Sequence, residues 1–334
     1  MNAPKWVVAI GASAGGVEAL RSFFRELEVG LDAAFVVVLH IPAHSPSQLH
    51  DVIQTHTPLK VCRAENNQPL QAGHVYVAPS DLHLMVQGDL IRLTRGRKES
   101  RARPSIDVLL RSVAVSQGSS AVGIILSGML DDGTAGLWAI KDHGGFALVQ
   151  DPGEAMYPSM PESAANHVAV DFIGKIAALA QEVTRIVSTT AAPAPAGAGS
   201  SRHGTENKIA NEGNALQLGV MTMGEVSQYT CPDCHGVLVQ IEEGSIVRFR
   251  CHTGHAFSLL TLLAEVSEAI DKGLWATLRS LEERVMLLRQ LDQLAKASGK
   301  TATGNYAERA TETEERIKPL RHLVLDEKLF GRQR

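Results

Sequence analysis

Five short apolar runs, at residues 6–10, 35–39, 75–77, 121–126 and 146–150, constrain this chain more than any other feature. Each is continuous instead of alternating, so both faces of the strand it forms must be covered, as in parallel sheets flanked by helices. Helical spacing follows at 17–24, 105–116, 134–142 and up to about residue 186. Strands that alternate with helices in this way predict an α/β fold: a doubly wound, mainly parallel sheet with helices on both faces. Residues 82–86 and 90–93, parted by Gln87, Gly88 and Asp89, read as a hairpin on the sheet's edge.

In such sheets the reactive groups lie beyond the carboxyl ends of the strands. The first run breaks into Gly11, Ala12, Ser13, Ala14, Gly15 and Gly16, a strand-turn-helix that can project the Ser13 hydroxyl as a nucleophile elbow does. The second run ends on His40, and the fourth leads to Asp131, Asp132 and Gly133. Taken singly, these are a helix cap, a core histidine and turn residues. Taken together, a hydroxyl, an imidazole and a carboxylate at neighbouring strand ends are the components of serine hydrolysis. Dinucleotide binding is the rival for such a turn, but Ser13 stands where the fingerprint needs its middle glycine and no acidic residue closes the second strand. A P-loop fails as well, because no Gly-Lys-Ser/Thr follows the turn.

With 334 residues, 44% of them hydrophobic, the chain can bury a large core, and its net charge of -4 offers no field for nucleic acid. No apolar run approaches the roughly 20 residues that span a bilayer, and the N-terminus lacks a signal-type apolar segment, so a cytoplasmic protein without membrane insertion is expected. The basic cluster Arg92, Arg95, Arg97, Lys98, Arg101 and Arg103 reads either as a solvated loop or as a rim that meets an acidic partner.

Residues 1–187 make up the α/β domain on this reading, and 188–220, rich in Ala, Pro, Gly and Ser, a flexible linker. A small module follows at 221–258. Cys231 and Cys234, then Cys251 and His255 after an intervening sixteen residues, have zinc-ribbon spacing, with His252 the rival for the fourth position. The expected ion is a structural zinc, because so small a module has little apolar core of its own. From 259 to 330, apolar residues at helical spacing predict a helical hairpin or a dimerising coiled coil, which makes a homodimer through the tail an expectation.

Five ordered motifs carry a resemblance: Gly11 to Gly16, Val38 to His40, Val75 to Pro79, Arg103 to Asp107, and Leu126 to Gly133. Over about residues 5–187 the chain resembles the catalytic domain of the chemotaxis protein-glutamate methylesterases, the CheB family. The resemblance implies Ser13 as nucleophile, His40 as general base and Asp132, the aspartate next to the glycine, as the orienting carboxylate. The backbone N–H of Met129 would bind the oxyanion, and no cofactor would serve catalysis. It further implies hydrolysis of glutamate methyl esters on a receptor or signalling protein, glutamine deamidation by the same route, and a methyltransferase and a response regulator as pathway partners. Two departures accompany it: Ala14 stands where a threonine is common, and the domain begins without the family's receiver, so an orphan form is expected. A scaffold that keeps the esterase fold for partner binding is the alternative.

Overall fold

The computed structural model describes residues 3–42, 48–189, 199–298 and 305–326. These residues form two compact units, 1–262 and 263–334. The first opens with β1 (Trp6–Ala12), α1 (Gly16–Glu26), β2 (Ala33–Leu39), α2 (Leu49–Gln54), β3 (Lys60–Arg63) and β4 (His74–Val77). It continues with β5 (His83–Gln87), β6 (Leu90–Thr94), α3 (Ile106–Gln117), β7 (Ala121–Ile125), α4 (Thr134–Asp142), β8 (Phe146–Gln150), α5 (Ser159–His167), β9 (Phe172–Gly174) and α6 (Ile176–Thr189).

Seven strands form one parallel sheet in the order β3-β4-β2-β1-β7-β8-β9. The run at 6–10 is continuous because β1 is central. Trp6, Val8 and Ile10 pack with Leu20, Phe23 and Phe24 of α1 on one face, while Val7 and Ala9 pack with Leu109, Leu110 and Val113 of α3 on the other. The chain winds outward to β2 on one side of β1 and to β7 on the other, which makes the gap between β1 and β7 the switch point where such sheets hold ligands.

The β5-β6 hairpin is a separate two-stranded sheet and not an edge of the main one. It packs instead on α3, where Ser112 Oγ accepts from Val86 N at 3.0 Å and Ser116 Oγ donates to Val86 O at 2.8 Å.

The expected linker at 188–220 is corrected in its described part. Helix α7 (Ser201–Glu212) forms there and buries His203, Glu206, Ile209 and Ala210. Residues 190–198, which hold most of the Ala-Pro run, lie outside the described residues. The module beyond is a four-stranded antiparallel sheet of β10 (Glu225–Thr230), β11 (Val237–Glu243), β12 (Ile246–Cys251) and β13 (Ala256–Ser258). Buried charge joins α7 to this sheet, since Arg248 donates to Glu206 at 2.8 and 2.9 Å and to Glu243 at 2.6 Å.

Helix α8 (Leu259–Ala297) runs into the second unit, which also holds α9 (Tyr306–Leu325). Leu278, Val285 and Leu288 pack against Ala310, Ile317 and Val324. Glu282 pairs with Arg321 and Arg289 with Glu314, so the two helices are antiparallel, a hairpin.

Candidate active site

The loops after β1, β2 and β7 meet at the switch point because the sheet's hydrogen bonding continues past the strand ends. Leu126 N donates to Gly11 O at 2.9 Å, Ser13 N to Ser127 O at 2.9 Å and His40 N to Ala12 O at 3.1 Å. Gly15 has φ 73°, the left-handed region that lets the chain turn into α1 directly after Ser13. Gly128 is required for close approach: a Cβ there would lie 2.9 Å from Ser13 Cβ and 2.5 Å from Met160 Sδ.

At this convergence Ser13 Oγ lies 3.2 Å from His40 Nδ1, and His40 Nε2 lies 2.8 Å from Asp132 Oδ2. A carboxylate only accepts, so the proton belongs on Nε2 and Nδ1 is left to accept from the Ser13 hydroxyl. The structure thus brings Ser13, His40 and Asp132 into one hydrogen-bonded chain. Asp131 faces away, and its Oδ1 accepts from Ser258 Oγ at 2.7 Å.

Asp132 is buried and held by the start of α3. Its Oδ2 also accepts from Ile106 N at 2.8 Å, and its Oδ1 from Ser105 Oγ at 3.0 Å and Asp107 N at 3.1 Å. Burial alone would raise its pKa. The hydrogen bond and charge of His40, with the Ile106 and Asp107 amides, outweigh burial and hold the carboxyl below its ordinary range. Asp131 is pushed up to about 6, chiefly by burial and further by Asp132, against the lowering effect of Ser258. Asp107, whose Oδ1 accepts from Gly133 N at 2.9 Å and Gly136 N at 2.7 Å, is raised well above the carboxylate range by burial and by Asp132.

Ser105 stands at the N-cap position of α3, but its hydroxyl goes to Asp132 and makes no capping bond. Ser127 is a second supporting residue that spacing alone does not single out. Its Oγ donates to Ala14 O at 2.8 Å and accepts from Tyr157 N at 3.0 Å, tying the Ser13 turn to the loop before α5. The signal for both is their place inside the quoted motifs.

A cleft of about 410 Å³ opens over Ser13 and His40. Met129 and Leu130 line one side, and among the described residues the Met129 N–H donates to no protein acceptor. Lys98, Ser100, Arg101 and Arg103 line the other side, so part of the basic cluster is a rim of the cleft. Arg103 is fixed there, its Nη2 donating to Asp81 Oδ1 at 2.6 Å and its Nη1 to Gly96 O at 2.8 Å.

In the C-terminal module Cys231, Cys234, Cys251 and His255 form a group that could hold a metal ion. Cys234 Sγ and Cys251 Sγ are 3.6 Å apart, and His255 Nδ1 is 3.7 Å from Cys231 Sγ and 3.5 Å from Cys251 Sγ. Ligands around one tetrahedral zinc would be about 3.8 Å apart for two sulfurs and about 3.5 Å for sulfur and nitrogen, so the donors fit. His252 is outside this group and packs over Gly236.

Comparison with known proteins places the fold in a family. A family model described as CheB methylesterase matches residues 8–183. A protein-glutamate methylesterase/protein-glutamine glutaminase of Hydrogenovibrio crunogenus is 34% identical over 185 residues, which cover 54% of this chain and 49% of that protein. A putative enzyme of the same name from Leptospira interrogans is 33% identical over 180 residues, covering 54% of this chain and 93% of the relative. The chain therefore spans about half the length of the first of these relatives and nearly all of the second. The crystal structure of the Thermotoga maritima CheB methylesterase catalytic domain superposes with a TM-score of 0.52 at 28% identity, covering 55% of this chain and 98% of that one. This chain belongs to the CheB methylesterase family.

Proposed function

We propose that the protein is a protein-glutamate methylesterase that acts on a methylated receptor or signalling protein, with glutamine deamidation by the same route. The observation that carries this reading is the chain from Ser13 Oγ to His40 at 3.2 Å and on to Asp132 at 2.8 Å. His40 Nδ1 takes the Ser13 proton as Oγ attacks the γ-carbonyl of the methyl ester. Asp132 stabilises the imidazolium through Nε2, and the Met129 N–H meets the oxyanion of the tetrahedral intermediate. His40 then protonates the leaving methanol, or ammonia from glutamine. Water, activated by the same nitrogen, releases free glutamate and restores Ser13. The names of the relatives support this substrate class.

Among the described residues no helix is long and apolar enough to cross a membrane, in keeping with action in the cytoplasm. A methyltransferase and a response regulator are the pathway partners expected for such an enzyme. Residues 1–187 would be the catalytic domain, and Cys231, Cys234, Cys251 and His255 would hold a structural zinc. A homodimer would form through the helical tail, where Leu263, Leu287 and Leu294 are exposed.

The test is methanol release from a methylated receptor preparation by the full chain and by Ser13→Ala. Loss of a single triad member reduces kcat by about 10⁴–10⁶-fold. No release above background by either chain would sink this reading and leave the scaffold standing; equal release above background by both would remove Ser13 as nucleophile.

A further inference from the structure

The rim of the catalytic cleft has an unusual backbone. Ser100 and Arg101 are consecutive non-glycine residues in the left-handed region, with φ 49° and 69°. Such conformations persist only where the surroundings over-determine them. What surrounds this segment is the C-terminal module. Ser100 N donates to Ala256 O at 2.9 Å, Ala256 N donates to Lys98 O at 3.4 Å, and Glu99 bridges Ala256 in parallel register. The Glu99 side chain is gripped from both sides, by Arg111 of α3 at 2.9 Å and by Arg250 of β12 at 2.9 Å. Two residues past Ala256, Ser258 Oγ donates to Asp131, the neighbour of Asp132. Thr261, which exchanges hydrogen bonds with Ser258, lines the cleft itself.

Ala256 directly follows His255, and Arg250 directly precedes Cys251. Of the ties on the rim, Arg111 comes from α3, and those from the C-terminal module, Arg250 and Ala256, come from residues adjacent to the metal-fitting group. Without an ion, three thiol groups and an imidazole are a weaker anchor for the 251–256 turn, which is otherwise tied by Gly254 N to Cys251 O at 3.0 Å, Cys251 N to His255 O at 2.9 Å, Arg250 Nη1 to Gly254 O at 3.1 Å and the pairing of Arg250 with Ala256. An ion would add to the β12–β13 pairing a cross-link from both ends of the turn to Cys231 and Cys234, and would stiffen the start of β13 with it.

From this we infer that the Cys231, Cys234, Cys251 and His255 site is a metal-dependent clamp that positions Lys98–Arg101 as the docking rim for a protein substrate. Lys98 and Arg101 give the rim a positive charge, suited to an acidic helix that carries the glutamyl ester. A small ester needs only the space over Ser13 and His40 and has no extended segment to lay along the rim. The clamp thus sets recognition of the protein substrate and leaves the chemistry of the triad alone. The inference rests on the esterase reading for its substrate and on the structure for its mechanics.

The experiment uses the full chain, with zinc content by elemental analysis, amide exchange at Ser100, and hydrolysis of both p-nitrophenyl acetate and a methylated receptor preparation. Expected are about one zinc per chain and, on chelation, at least tenfold faster exchange of the Ser100 amide. KM for the receptor should rise at least tenfold, with less than a twofold change in p-nitrophenyl acetate turnover, and zinc should reverse all three effects. Cys231→Ser should reproduce the chelated state, and reversible chelation decides the matter where that variant does not fold. A metal-free chain with a protected Ser100 amide would overturn the clamp. So would a parallel loss of both activities on chelation, which would mean that the metal merely holds the fold. If the zinc-loaded chain hydrolyses neither substrate while Ser100 exchange still answers to zinc, the esterase reading fails and the clamp stands.

Discussion

Asp132→Asn is the sharpest probe of the triad, because it changes two atoms' chemistry and almost no volume. The carboxylate accepts four hydrogen bonds, from His40, Ser105 and the amides of Ile106 and Asp107. An asparagine can accept through only one of its two terminal atoms. With its oxygen toward Ser105 and Asp107, its NH₂ faces both the Ile106 N–H and His40 Nε2. The imidazole then escapes a donor-donor clash by moving its proton to Nδ1, where it points at Ser13 and cannot serve as the base. The imidazolium also loses its counterion. The same tautomer error costs about 10⁴-fold in serine proteases, equivalent to about 5 kcal/mol of transition-state stabilisation. The orphaned Ile106 N–H adds about 1–3 kcal/mol of lost stability. Single-turnover methanol release separates these effects, since a folded fraction can be measured beside the rate. Asp131→Asn is the control and should change the rate by less than about fivefold. If Asp132→Asn retained more than a tenth of the wild-type rate, or Asp131→Asn were the more damaging, the assignment of the orienting carboxylate would be wrong.

Other perturbations read the same architecture. Because the folded pKa of Asp131 is about 6, above the ordinary value of 3.8, its contribution to stability is full below pH 4 and is lost as pH rises through 6. The shift corresponds to about 3 kcal/mol at most. Urea unfolding of Asp131→Asn against the native chain should therefore show the variant gaining, by an order of 1–3 kcal/mol, between pH 4 and pH 7; a constant difference would refute this. Arg111→Met removes a buried cation that pairs with Glu99 at 2.9 Å and lies 3.8 Å from Glu206. Stripping one partner from such a network costs about 3–5 kcal/mol, or about 10 °C in Tm for a unit of this size. Calorimetry should find about half of that recovered in Arg111→Met with Glu99→Gln, since the second change restores the charge balance of the buried cluster, in which Arg250 still faces both Glu99 and Glu206.

The central sheet was legible because its signal is local. Continuous apolar runs such as residues 35–39 need no partner to be recognised, and the turns that end them carry Ser13, His40 and Asp132. What escaped depends on contacts that are remote in sequence. Helix α7 lies in a stretch with few large apolar groups, and local composition reads as a linker. Its order comes from Glu206, whose partners Arg111, Arg248 and Arg250 lie 95, 42 and 44 residues away. The hairpin reads as an edge by its alternation, yet α3 offers it Ser112 and Ser116 as backbone partners and β3 already holds the sheet's edge. Ser105 looks like a cap because the helix starts where its position requires. The competing acceptor, Asp132, arrives 27 residues later and satisfies the first amides of α3 in its place.

Three carboxyl groups crowd this corner, and their surroundings divide the roles. Asp107 and Asp132 are both buried; burial and the charge of Asp132 raise the Asp107 pKa well above its ordinary value, whereas the hydrogen bonds around Asp132 hold its own below. Asp132 has two amides at a helix N-terminus, a hydroxyl and an imidazole to receive that charge, whereas Asp107 has the amides of Gly133 and Gly136. The helix dipole adds to the side with the α3 amides. The surroundings therefore favour charge on Asp132 over charge on Asp107, whose Oδ1 pins the loop that delivers its neighbour. Asp131, one residue earlier, turns outward to Ser258 and has no part in the pair's hydrogen bonds. A buried carboxylate whose own shell is already satisfied is what would let His40 become cationic for the length of one acyl transfer, as the proposed reaction requires.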